Sequence, residues 1–459
     1  MTGLPLPEAV GGRALSAGLP AYVYDLGALR AHAASVRAAI PVEIFYAAKA
    51  NPDARILTAL APYMDGVEVS SGGELAHVRA ALPGARLAFG GPGKTDEELV
   101  SATDAGVDRL HVESPHELGR LAALRAETDV LLRVNLPVAI SGAALRMSGP
   151  FGMEPEALGA CLDILEHAPW LRLRGLHAHL ASGLEAGPLL EVAAQILGWA
   201  RTWMDGPKEV NLGGGMAVDY RNPGARFDWA EYGAGLAALR RPEETLRIEP
   251  GRALTAYCGW YVTDVLDVKR SHGEWYAVLR GGTHHLRTPV TKGHDQPFAV
   301  LPADGGQVTG GGRLAGGGPD AGGEPVVNGE PAAAGGPVAL GRPDAGDGPD
   351  PSGGPVTHGG PVTHGGPVTH GGPDPSGGRL TGDRPIASCG PVATGAVTLV
   401  GQLCTPKDVF ARQVPVDRIA LGDVVAFALA GAYAWNISHH DFLMHPKPAF
   451  EYVDDETCR

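Results

Sequence analysis

The sequence predicts an α/β protein with two parts, a (β/α)8 barrel followed by a mostly β domain. Strand-like apolar runs alternate with Ala- and Leu-rich segments of helical spacing over roughly 230 residues, the size of such a barrel. Beyond Arg252, β-branched and aromatic runs follow one another without helices between them. The strand candidates of the barrel lie near residues 42–47, 66–70, 86–90, 108–112, 129–135, 172–179, 208–212 and 245–249.

We assign residues 28–254 to the barrel, and residues 1–27 together with 255–459 to the β domain. Residues 303–393 interrupt the β domain with a low-complexity segment rich in Gly, Pro and Asp. Such a composition cannot bury enough apolar surface to offset chain entropy, so we expect a disordered insert. Its repeated histidines could bind a metal loosely, but repeat expansion in a tolerated loop is the simpler explanation. These histidines are His358, His364 and His370.

Composition limits the functional classes. The formal net charge of −14 disfavours nucleic acid or an anionic membrane as a partner, and we expect a small-molecule substrate. The sequence shows no basic leader with an apolar core and no apolar stretch that could span a bilayer, so we expect a cytoplasmic protein. The 5 cysteines lack CxxC spacing and no HExxH pattern occurs, which predicts neither a disulfide framework nor a metal site.

One lysine stands out. The strand-like run from Val42 to Ala48 leads directly to Lys49, and Asn51-Pro52 then stops the strand. A charged lysine at the end of a buried strand is costly if it has no partner. A Schiff base with an aldehyde cofactor would remove the charge, whereas a lysine that snorkels to solvent is the simpler alternative for this stretch alone.

The ends of the other predicted strands favour a reactive lysine. In a (β/α)8 barrel the catalytic groups gather at the carboxyl ends of the strands, and here glycines or polar residues follow nearly every strand. These segments are Ser70-Ser71-Gly72-Gly73-Glu74, Gly90-Gly91, Glu113-Ser114, Arg133-Val134-Asn135, His177-Ala178-His179, Gly213-Gly214-Gly215 and Glu249-Pro250-Gly251-Arg252. The pattern predicts a functional site at the mouth of the barrel.

Three of these segments suggest a flat, phosphorylated cofactor. The three glycines at 213–215 can bring backbone N–H groups around a phosphate, although triple glycine also occurs in ordinary loops. Arg252 adds a cation for that phosphate, and Glu249 is a carboxylate that could hold the nitrogen of a pyridine ring. An ordinary surface Glu–Arg pair is the alternative. His179 is either a ring that stacks on the cofactor or a core histidine.

Taken in order, these motifs resemble the signature of fold-type III pyridoxal-phosphate decarboxylases, the group of diaminopimelate and ornithine decarboxylases. The resemblance spans nearly the whole chain outside the insert. It implies an alanine-racemase-like barrel with a β domain, and pyridoxal 5'-phosphate as the cofactor. The matching segments are Ala48-Lys49-Ala50-Asn51, Ser71-Gly72-Gly73-Glu74, Gly175-Leu176-His177-Ala178-His179, Gly213-Gly214-Gly215, Glu249-Pro250-Gly251-Arg252, Cys404 and Gly431-Ala432-Tyr433.

The resemblance also implies individual roles. Lys49 would form the Schiff base, His179 would stack on the cofactor ring, and Glu249 would hold the pyridine proton. Cys404 would cross into the other subunit of a homodimer, whose active site lies at the subunit interface, and would protonate Cα after carbon dioxide leaves. Further cofactor contacts would come from Glu68, Arg133, Ser182, Gly213, Gly214, Gly215, Gly251, Arg252 and Tyr433.

The chain departs from the basic-amino-acid decarboxylases of this family directly after the cysteine. Those enzymes place an acidic residue there, where it meets the distal amine of the substrate, and this chain has Thr405. Asp408 could substitute for that acid. Cationic and donor-rich segments of the β domain instead suit carboxylate or hydroxyl groups of a substrate. Our candidate substrate contacts are Arg146, His284, His285, Arg287, Thr405 and Asp408.

This combination looks like the secondary-metabolism branch of the family, which includes decarboxylases of citryl-diamino-acid intermediates of siderophores and of glutamyl groups on carrier proteins. We therefore expect decarboxylation of a citryl-type siderophore intermediate. The alternatives are a carrier-protein-linked decarboxylase and an ordinary diaminopimelate, ornithine or lysine decarboxylase, which Thr405 disfavours. Glu249 disfavours a racemase, because related racemases place an arginine on the pyridine nitrogen. Cys404 and the β domain disfavour a non-enzymatic cofactor-binding barrel.

Overall fold

The computed structural model describes residues 6–454 apart from residues 139, 141, 148, 204–208, 288–294, 304–308 and 312–389. The α-helices are α1 (Glu8–Ala17), α2 (Leu26–Ala39), α3 (Ala54–Leu60), α4 (Gly72–Ala81), α5 (Asp96–Asp104), α6 (Pro115–Ala123), α7 (Leu158–Glu166), α8 (Ala186–Ala200), α9 (Trp229–Leu239) and α10 (Arg252–Thr255). None of the described helices is long and apolar enough to cross a membrane.

The β-strands follow in chain order. They are β1 (Ala21–Asp25), β2 (Glu43–Ala47), β3 (Gly66–Val69), β4 (Leu87–Phe89), β5 (Arg109–Val112), β6 (Thr128–Arg133), β7 (Leu145–Arg146), β8 (Leu171–His177), β9 (Ala181–Ser182), β10 (Glu209–Asn211), β11 (Thr245–Ile248), β12 (Gly259–Ser271), β13 (Glu274–Leu279), β14 (Phe298–Leu301), β15 (Thr309–Gly311), β16 (Ala393–Val400), β17 (Val409–Ile419), β18 (Val424–Phe427) and β19 (Ala449–Val453).

Parallel strands close into a barrel in the order β10-β11-β2-β3-β4-β5-β6-β8, which confirms the predicted fold. The barrel is sealed by pairing of β11 with β2, in which Ile248 lies beside Ile44. Apolar side chains fill these strands because both faces are covered, as in other parallel sheets. The carboxyl ends of all the strands therefore meet at one mouth.

Part of the polar pattern at the strand ends serves helix capping. The Ser71 hydroxyl accepts a hydrogen bond from the Glu74 amide at the start of α4. Ser114 does the same for the Glu117 amide at the start of α6. These hydroxyls satisfy backbone donors that a helix leaves unpaired at its first turn.

The amino end of the barrel is closed by buried charge. The Arg247 guanidinium is fully buried (0% exposed) and contacts Glu43 and Asp108 at 2.7 and 3.2 Å. It also packs over the Phe45 ring at 3.8 Å. Losing one partner of such a network is costly, because the remaining charge cannot return to water. This end of the barrel is therefore built for stability.

The β domain is a 9-stranded sheet in the order β15-β14-β18-β12-β13-β16-β17, joined by β1 and β19. Strand β1 pairs with β12 in antiparallel and with β19 in parallel, so the amino-terminal segment belongs to this sheet. Aromatic rings pack in its core, with Phe410 and Phe427 stacked at 4.8 Å. The strand-rich second domain that the sequence predicts is confirmed.

The predicted insert, residues 303–393, lies mostly outside the described residues. Within the described part of that range, strand β15 pairs with β14, in which Phe298 lies beside Gly311. Strand β16 begins at Ala393, at the other end of the range.

Hydrogen bonds join the barrel mouth to the β domain. The Tyr433 amide donates to the Ala50 carbonyl at 2.8 Å. The Asn436 side chain donates to the Lys49 carbonyl at 2.7 Å, and the Asn51 side chain donates to the Gly431 carbonyl at 3.0 Å. The turn that carries Lys49 is therefore held by the β domain.

Two helical glycines on the barrel provide a test of this packing. In α8, an added Cβ at the exposed Gly198 would meet nothing within 4 Å, whereas at Gly233 in α9 it would fall inside contact distance of the Ala39 carbonyl oxygen. We expect Gly198→Ala to stabilise the protein by about 1 kcal/mol through helix propensity. We expect Gly233→Ala to destabilise it by about 1–3 kcal/mol through overpacking. Urea unfolding measures both, and equal shifts in the same direction would contradict the placement of α9.

Candidate active site

The barrel mouth and the β domain enclose a cavity of about 800 Å³. Its walls include Lys49 and Glu249 from the barrel and Arg287 and Tyr433 from the β domain. The volume is within the range of small-molecule and cofactor sites.

Lys49 follows β2 in a short 3-10 turn, Ala48–Ala50. Its Nζ donates to the Glu68 carboxylate at 2.7 Å, and the Ser70 hydroxyl donates to the other Glu68 oxygen at 2.9 Å. Burial lowers the pKa of Lys49, but the charge of Glu68 outweighs it and raises the pKa overall. In the cofactor-free protein the amine is therefore an ammonium with a partner.

Glu249 follows β11 at the floor of the cavity. The Asn211 side chain donates to its Oε1 at 2.7 Å. Burial, followed by the negative charge of Glu68, raises the pKa of Glu249 to about 7. This carboxyl group can therefore carry or release a proton near neutral pH.

Two buried histidines lie behind Glu249. His177 Nε2 is 3.5 Å and His111 Nε2 is 3.9 Å from the two Glu249 oxygens, and the imidazole rings lie 4.3 Å apart. Burial lowers the pKa of both histidines well below the usual value, so both rings are neutral. These three side chains are the one group among the described residues whose spacing could hold a metal ion.

His179 lines the cavity and its Nε2 lies 3.1 Å from the Ala181 carbonyl. Burial and the charge of Lys49 lower the pKa of His179 to about 3, so the ring is neutral. A Cβ at Gly213 would come within 2.5 Å of the His179 Cβ, and the backbone there has φ of 69°. Glycine at 213 is therefore needed both for space and for the left-handed conformation.

Several other predicted cofactor contacts also line the cavity. Ser182, Gly214, Gly215, Gly251 and Arg252 all line it. Arg252 donates to the Tyr220 hydroxyl at 2.8 Å, and its guanidinium lies 4.5 Å from the centre of the Tyr433 ring. Hydroxyls, a guanidinium and a close backbone turn form a donor set suited to a phosphate.

Arg133 and Glu68 stand behind the lining residues. Arg133 Nη1 is 2.5 Å from the Glu113 carboxylate, and both side chains are buried. The second Glu113 oxygen accepts from the Gly152 amide at 2.8 Å. Arg133 is thus engaged in an ion pair inside the barrel.

The sequence placed Glu113 and His177 in strand-end segments of the predicted site without an individual role, and it gave no indication of His111 or Asn211. The available signal was a polar residue within or at the end of a short apolar strand, as in Leu110-His111-Val112. Such residues face the barrel interior only when the strand register places them there. In a strand of three or four residues, the alternation of polar and apolar side chains is too short to establish which ones point inward.

Among the predicted substrate contacts, Arg287 lines the cavity and its backbone amide donates to the Ser438 hydroxyl at 2.9 Å. Arg146 lies in β7, where its side chain is exposed and donates to the Ile140 carbonyl at 2.5 Å. The neighbouring Leu145 and Met147 line the cavity instead.

The sequence predicts His284 and His285 as substrate contacts in a cationic segment, and the structure places neither of them in the cavity lining. His284 and His285 are 0% and 2% exposed and do not line the cavity. His285 is bound to the Tyr261 hydroxyl at 3.0 Å and to the Pro446 carbonyl at 2.9 Å. Burial lowers the pKa of His284 to about 3 and that of His285 to about 4, so both are neutral.

The cysteine loop also lies away from the cavity of its own chain. Cys404 is exposed and Thr405 is half-buried, and neither lines the cavity. Asp408 is buried, and its carboxylate accepts hydrogen bonds from the Thr283 and Leu403 amides. Asp408 therefore does not offer a free charge to a substrate amine.

Comparison with known proteins places the chain in a family. Residues 26–256 match "Pyridoxal-dependent decarboxylase, pyridoxal binding domain", and residues 375–431 match "Pyridoxal-dependent decarboxylase, C-terminal sheet domain". The chain therefore belongs to the pyridoxal-dependent decarboxylases, and it is an amino-acid decarboxylase that uses pyridoxal 5'-phosphate.

Individual relatives extend over most of the chain. A 2-[(L-alanin-3-ylcarbamoyl)methyl]-2-hydroxybutanedioate decarboxylase of Staphylococcus aureus is 34% identical over 94% of this chain and 93% of that protein. An L-glutamyl-[BtrI acyl-carrier protein] decarboxylase of Niallia circulans is 25% identical over 94% of this chain and 87% of that protein. The fold is similar to that of Helicobacter pylori diaminopimelate decarboxylase complexed with L-lysine, with a TM-score of 0.70 at 19% identity, covering 95% of this chain and 92% of that one.

The residues of the cavity fit pyridoxal phosphate. An amine and a carboxyl group, Lys49 and Glu249, both line the cavity, as a Schiff base and a pyridine nitrogen require. A Cβ at Gly215 would fall inside contact distance of the Ala181 carbonyl, so this position accepts only glycine. The backbone of the turn, which carries no side chain there, can approach a phosphate closely. When bound, the cofactor supplies an aldehyde that captures the substrate amine and a ring that accepts the electrons released with carbon dioxide.

Because the pKa of Glu249 is raised, its contribution to stability depends on pH with a definite sign. Between the ordinary carboxyl pKa and about 7, the folded cofactor-free protein holds a proton that the unfolded chain releases. The contribution is therefore present at low pH and is lost as the pH rises through this window. We expect the free energy of unfolding of wild type, relative to Glu249→Gln, to fall from about pH 4.5 to about pH 7 and then to level off. Urea unfolding of both cofactor-free proteins measures it, and a rising difference would contradict the burial of Glu249.

Proposed function

We propose that the enzyme decarboxylates a citryl conjugate of a diamino acid during siderophore assembly. The observation that carries this proposal is the charge of the cavity wall. Among the described lining residues Glu249 is the sole carboxylate, whereas Arg287 is a cation in addition to Lys49 and Arg252. A substrate with a distal amine would find no acid there, and a substrate with extra carboxylates would find a guanidinium.

The name of the Staphylococcus aureus relative supports this choice. It describes a hydroxybutanedioate, which has two carboxylates, joined through an amide to the third carbon of L-alanine. Such a molecule presents one α-amino acid for the chemistry and two distal carboxylates for recognition. We propose the same chemical class for this chain, with Arg287 as the contact to a distal carboxylate.

Each side chain has a proposed part in the reaction. Lys49 holds the cofactor and is exchanged for the substrate amine, while Glu249 holds the proton of the ring nitrogen. His179 packs on the ring face as a neutral imidazole. The phosphate is held by Ser182, the glycines at 213–215, Arg252 and Tyr433. Gly251 is a further cofactor contact, and Glu68 and Arg133 lie near the ring.

Cys404 completes the site from a second subunit in this proposal. The thiol is exposed and does not line the cavity of its own chain, as expected of a group that serves a partner copy. There it would deliver a proton to Cα after carbon dioxide has left. Thr405 would enter with it, as a neutral hydroxyl where other family members carry an acid. The homodimer is then the catalytic unit.

The same proposal includes the domain division and the location. Residues 28–254 form the cofactor-binding part, and residues 1–27 with 255–459 form the β domain, a division that the pairing of β1 with β12 supports. A cytoplasmic location is supported by the free thiols of Cys161, Cys258 and Cys404.

A spectrum and a substrate panel test the activity. We expect the purified enzyme with pyridoxal phosphate to show a visible absorbance band that is lost in Lys49→Ala. Mass spectrometry should detect loss of carbon dioxide from the citryl conjugate of 2,3-diaminopropionate and not from free diaminopimelate, ornithine or lysine. Turnover of the free diamino acids would instead assign the enzyme to that class. Turnover of only a glutamyl group on a carrier protein would assign it to the class of the Niallia circulans relative.

Arg287→Ala tests the recognition of the distal carboxylates. Loss of a charge-assisted hydrogen bond should raise KM for the citryl conjugate by about tenfold or more, with little change for an N-acyl 2,3-diaminopropionate that lacks the distal carboxylates. Arg13→Ala, on the exposed face of α1, is the matched control and should change neither constant. Steady-state kinetics with both substrates measures the split, and an equal rise for both would contradict the assignment.

A further inference from the structure

Asp408 is buried, which is unusual for a charged residue beside an active-site loop. Its side chain is 2% exposed in the described structure. One carboxylate oxygen accepts from the Thr283 amide at 2.6 Å, and the other accepts from the Leu403 amide at 2.8 Å. A single carboxylate therefore holds two chain segments that are more than a hundred residues apart in sequence.

Glycines make room for this contact. A Cβ at Gly282 would come within 2.7 Å of the Asp408 carboxylate, and a Cβ at Gly401 would be closer still. The Gln402 amide also donates to the Gly281 carbonyl at 2.8 Å, and the Gly401 amide donates to the Asp408 carbonyl at 3.1 Å. The two segments are thus packed against each other with the carboxylate between them.

The chemistry of the carboxylate agrees with a structural contact. Burial raises the pKa of Asp408, although the amides of Thr283 and Leu403 lower it in part. Asp408 does not line the cavity. Its oxygens are bound by backbone amides and it is buried outside the cavity lining, so it does not face a substrate amine in the cavity.

Each of the two segments carries a residue of the proposed function. Residues 281–287 lead to Arg287, which lines the cavity of its own chain. Residues 401–408 carry Cys404, whose exposed thiol is proposed to serve the other subunit. The Asp408 carboxylate lies where the two segments meet.

We propose that Asp408 is a positioning residue that sets Arg287 for its own active site and Cys404 for the partner's active site at the same time. The inference rests on the proposed function, in which the two sites of a homodimer exchange their cysteines. One buried carboxylate would then link substrate recognition in one site to protonation in the other.

Asp408→Asn probes this arrangement because the change is isosteric. The amide keeps one acceptor oxygen, but its NH2 group must face a backbone N–H that needs an acceptor. One of the two segments therefore loses its anchor. Mixed dimers, purified through two different affinity tags, allow the effect on Arg287 and the effect on Cys404 to be measured separately.

The reference is a dimer in which one chain is Lys49→Ala and the other is native, so that one site is complete. Mixing Lys49→Ala chains with Cys404→Ala chains checks that each active site is shared between two subunits. The mixed dimers should regain activity that neither variant has alone. When Asp408→Asn is placed on the chain with the intact Lys49, we expect KM for the citryl conjugate of 2,3-diaminopropionate to rise about tenfold. When it is placed on the Lys49→Ala chain, we expect kcat to fall about tenfold with KM unchanged.

Asp423→Asn is the matched control. Asp423 is also buried in the β domain, where its carboxylate accepts from the Ala303 and Ala420 amides, away from both segments. The control should lose stability without the split between KM and kcat. Hydrogen–deuterium exchange gives a readout independent of turnover, because peptides over 281–287 and 401–408 should exchange faster in Asp408→Asn and not in Asp423→Asn.

Equal changes in both placements, or no change in either, would overturn the role of Asp408 while the proposed function stands. Failure of the Lys49→Ala and Cys404→Ala chains to complement would instead overturn the shared site of the proposed function, and with it the link to the partner. Should Asp408→Asn not assemble, Thr283→Val removes only a hydroxyl that bonds to the carboxylate. That variant should raise KM in the chain that carries Lys49, and an unchanged KM would overturn the proposal.

Discussion

The Lys49 ammonium pairs with a buried carboxylate, Glu68, and the electrostatics of the site follow from this pair. Burial alone would drive the lysine to its neutral form, and Glu68 reverses that tendency. The same negative charge acts on Glu249, where it adds to burial and raises the pKa. The Glu68 carboxylate thus keeps the Lys49 amine charged, and together with burial it favours a proton on Glu249 although the Lys49 charge opposes this in part.

The groups around this pair are neutral, which limits the cost of burying it. His111, His177 and His179 are held uncharged by burial, so they add ring surface without adding cations to the cavity floor. Two further buried cations on this side have carboxylate partners, because Arg133 pairs with Glu113 and Lys94 pairs with Glu117. At the other end of the barrel, Arg247 is paired with carboxylates in the same way. These buried charges are therefore paired locally at both ends of the barrel.

The β domain closes that mouth, and in the proposed function it supplies the group that recognises the substrate. It fixes the lysine turn through Asn436 and places Tyr433 beside Arg252. It also contributes Arg287, the cation that the proposed substrate class requires. In the proposed function, the barrel thus carries the groups that hold the cofactor, and the β domain carries the group that recognises the substrate.

The sequence by itself determined the barrel, the strand-rich second domain and the cofactor. Strand periodicity and glycines at strand ends are local properties of the chain, and the ordered motifs around Lys49, His179 and Glu249 add a specific resemblance. The sequence also predicted a lysine that would be costly as a cation, but it could not show that Glu68 is its partner. Which side chains are paired depends on contacts between strands far apart in the sequence.

Only the tertiary structure decided the rest. His284 and His285 look like free donors in the sequence, and packing buries them as neutral rings. Asp408 looks like a substitute for a missing acid, and its oxygens are bound by amides of two separate segments. The physical reason is the same in each case, because burial and long-range hydrogen bonding set the charge and direction of a side chain, and neither is encoded in its neighbours along the chain.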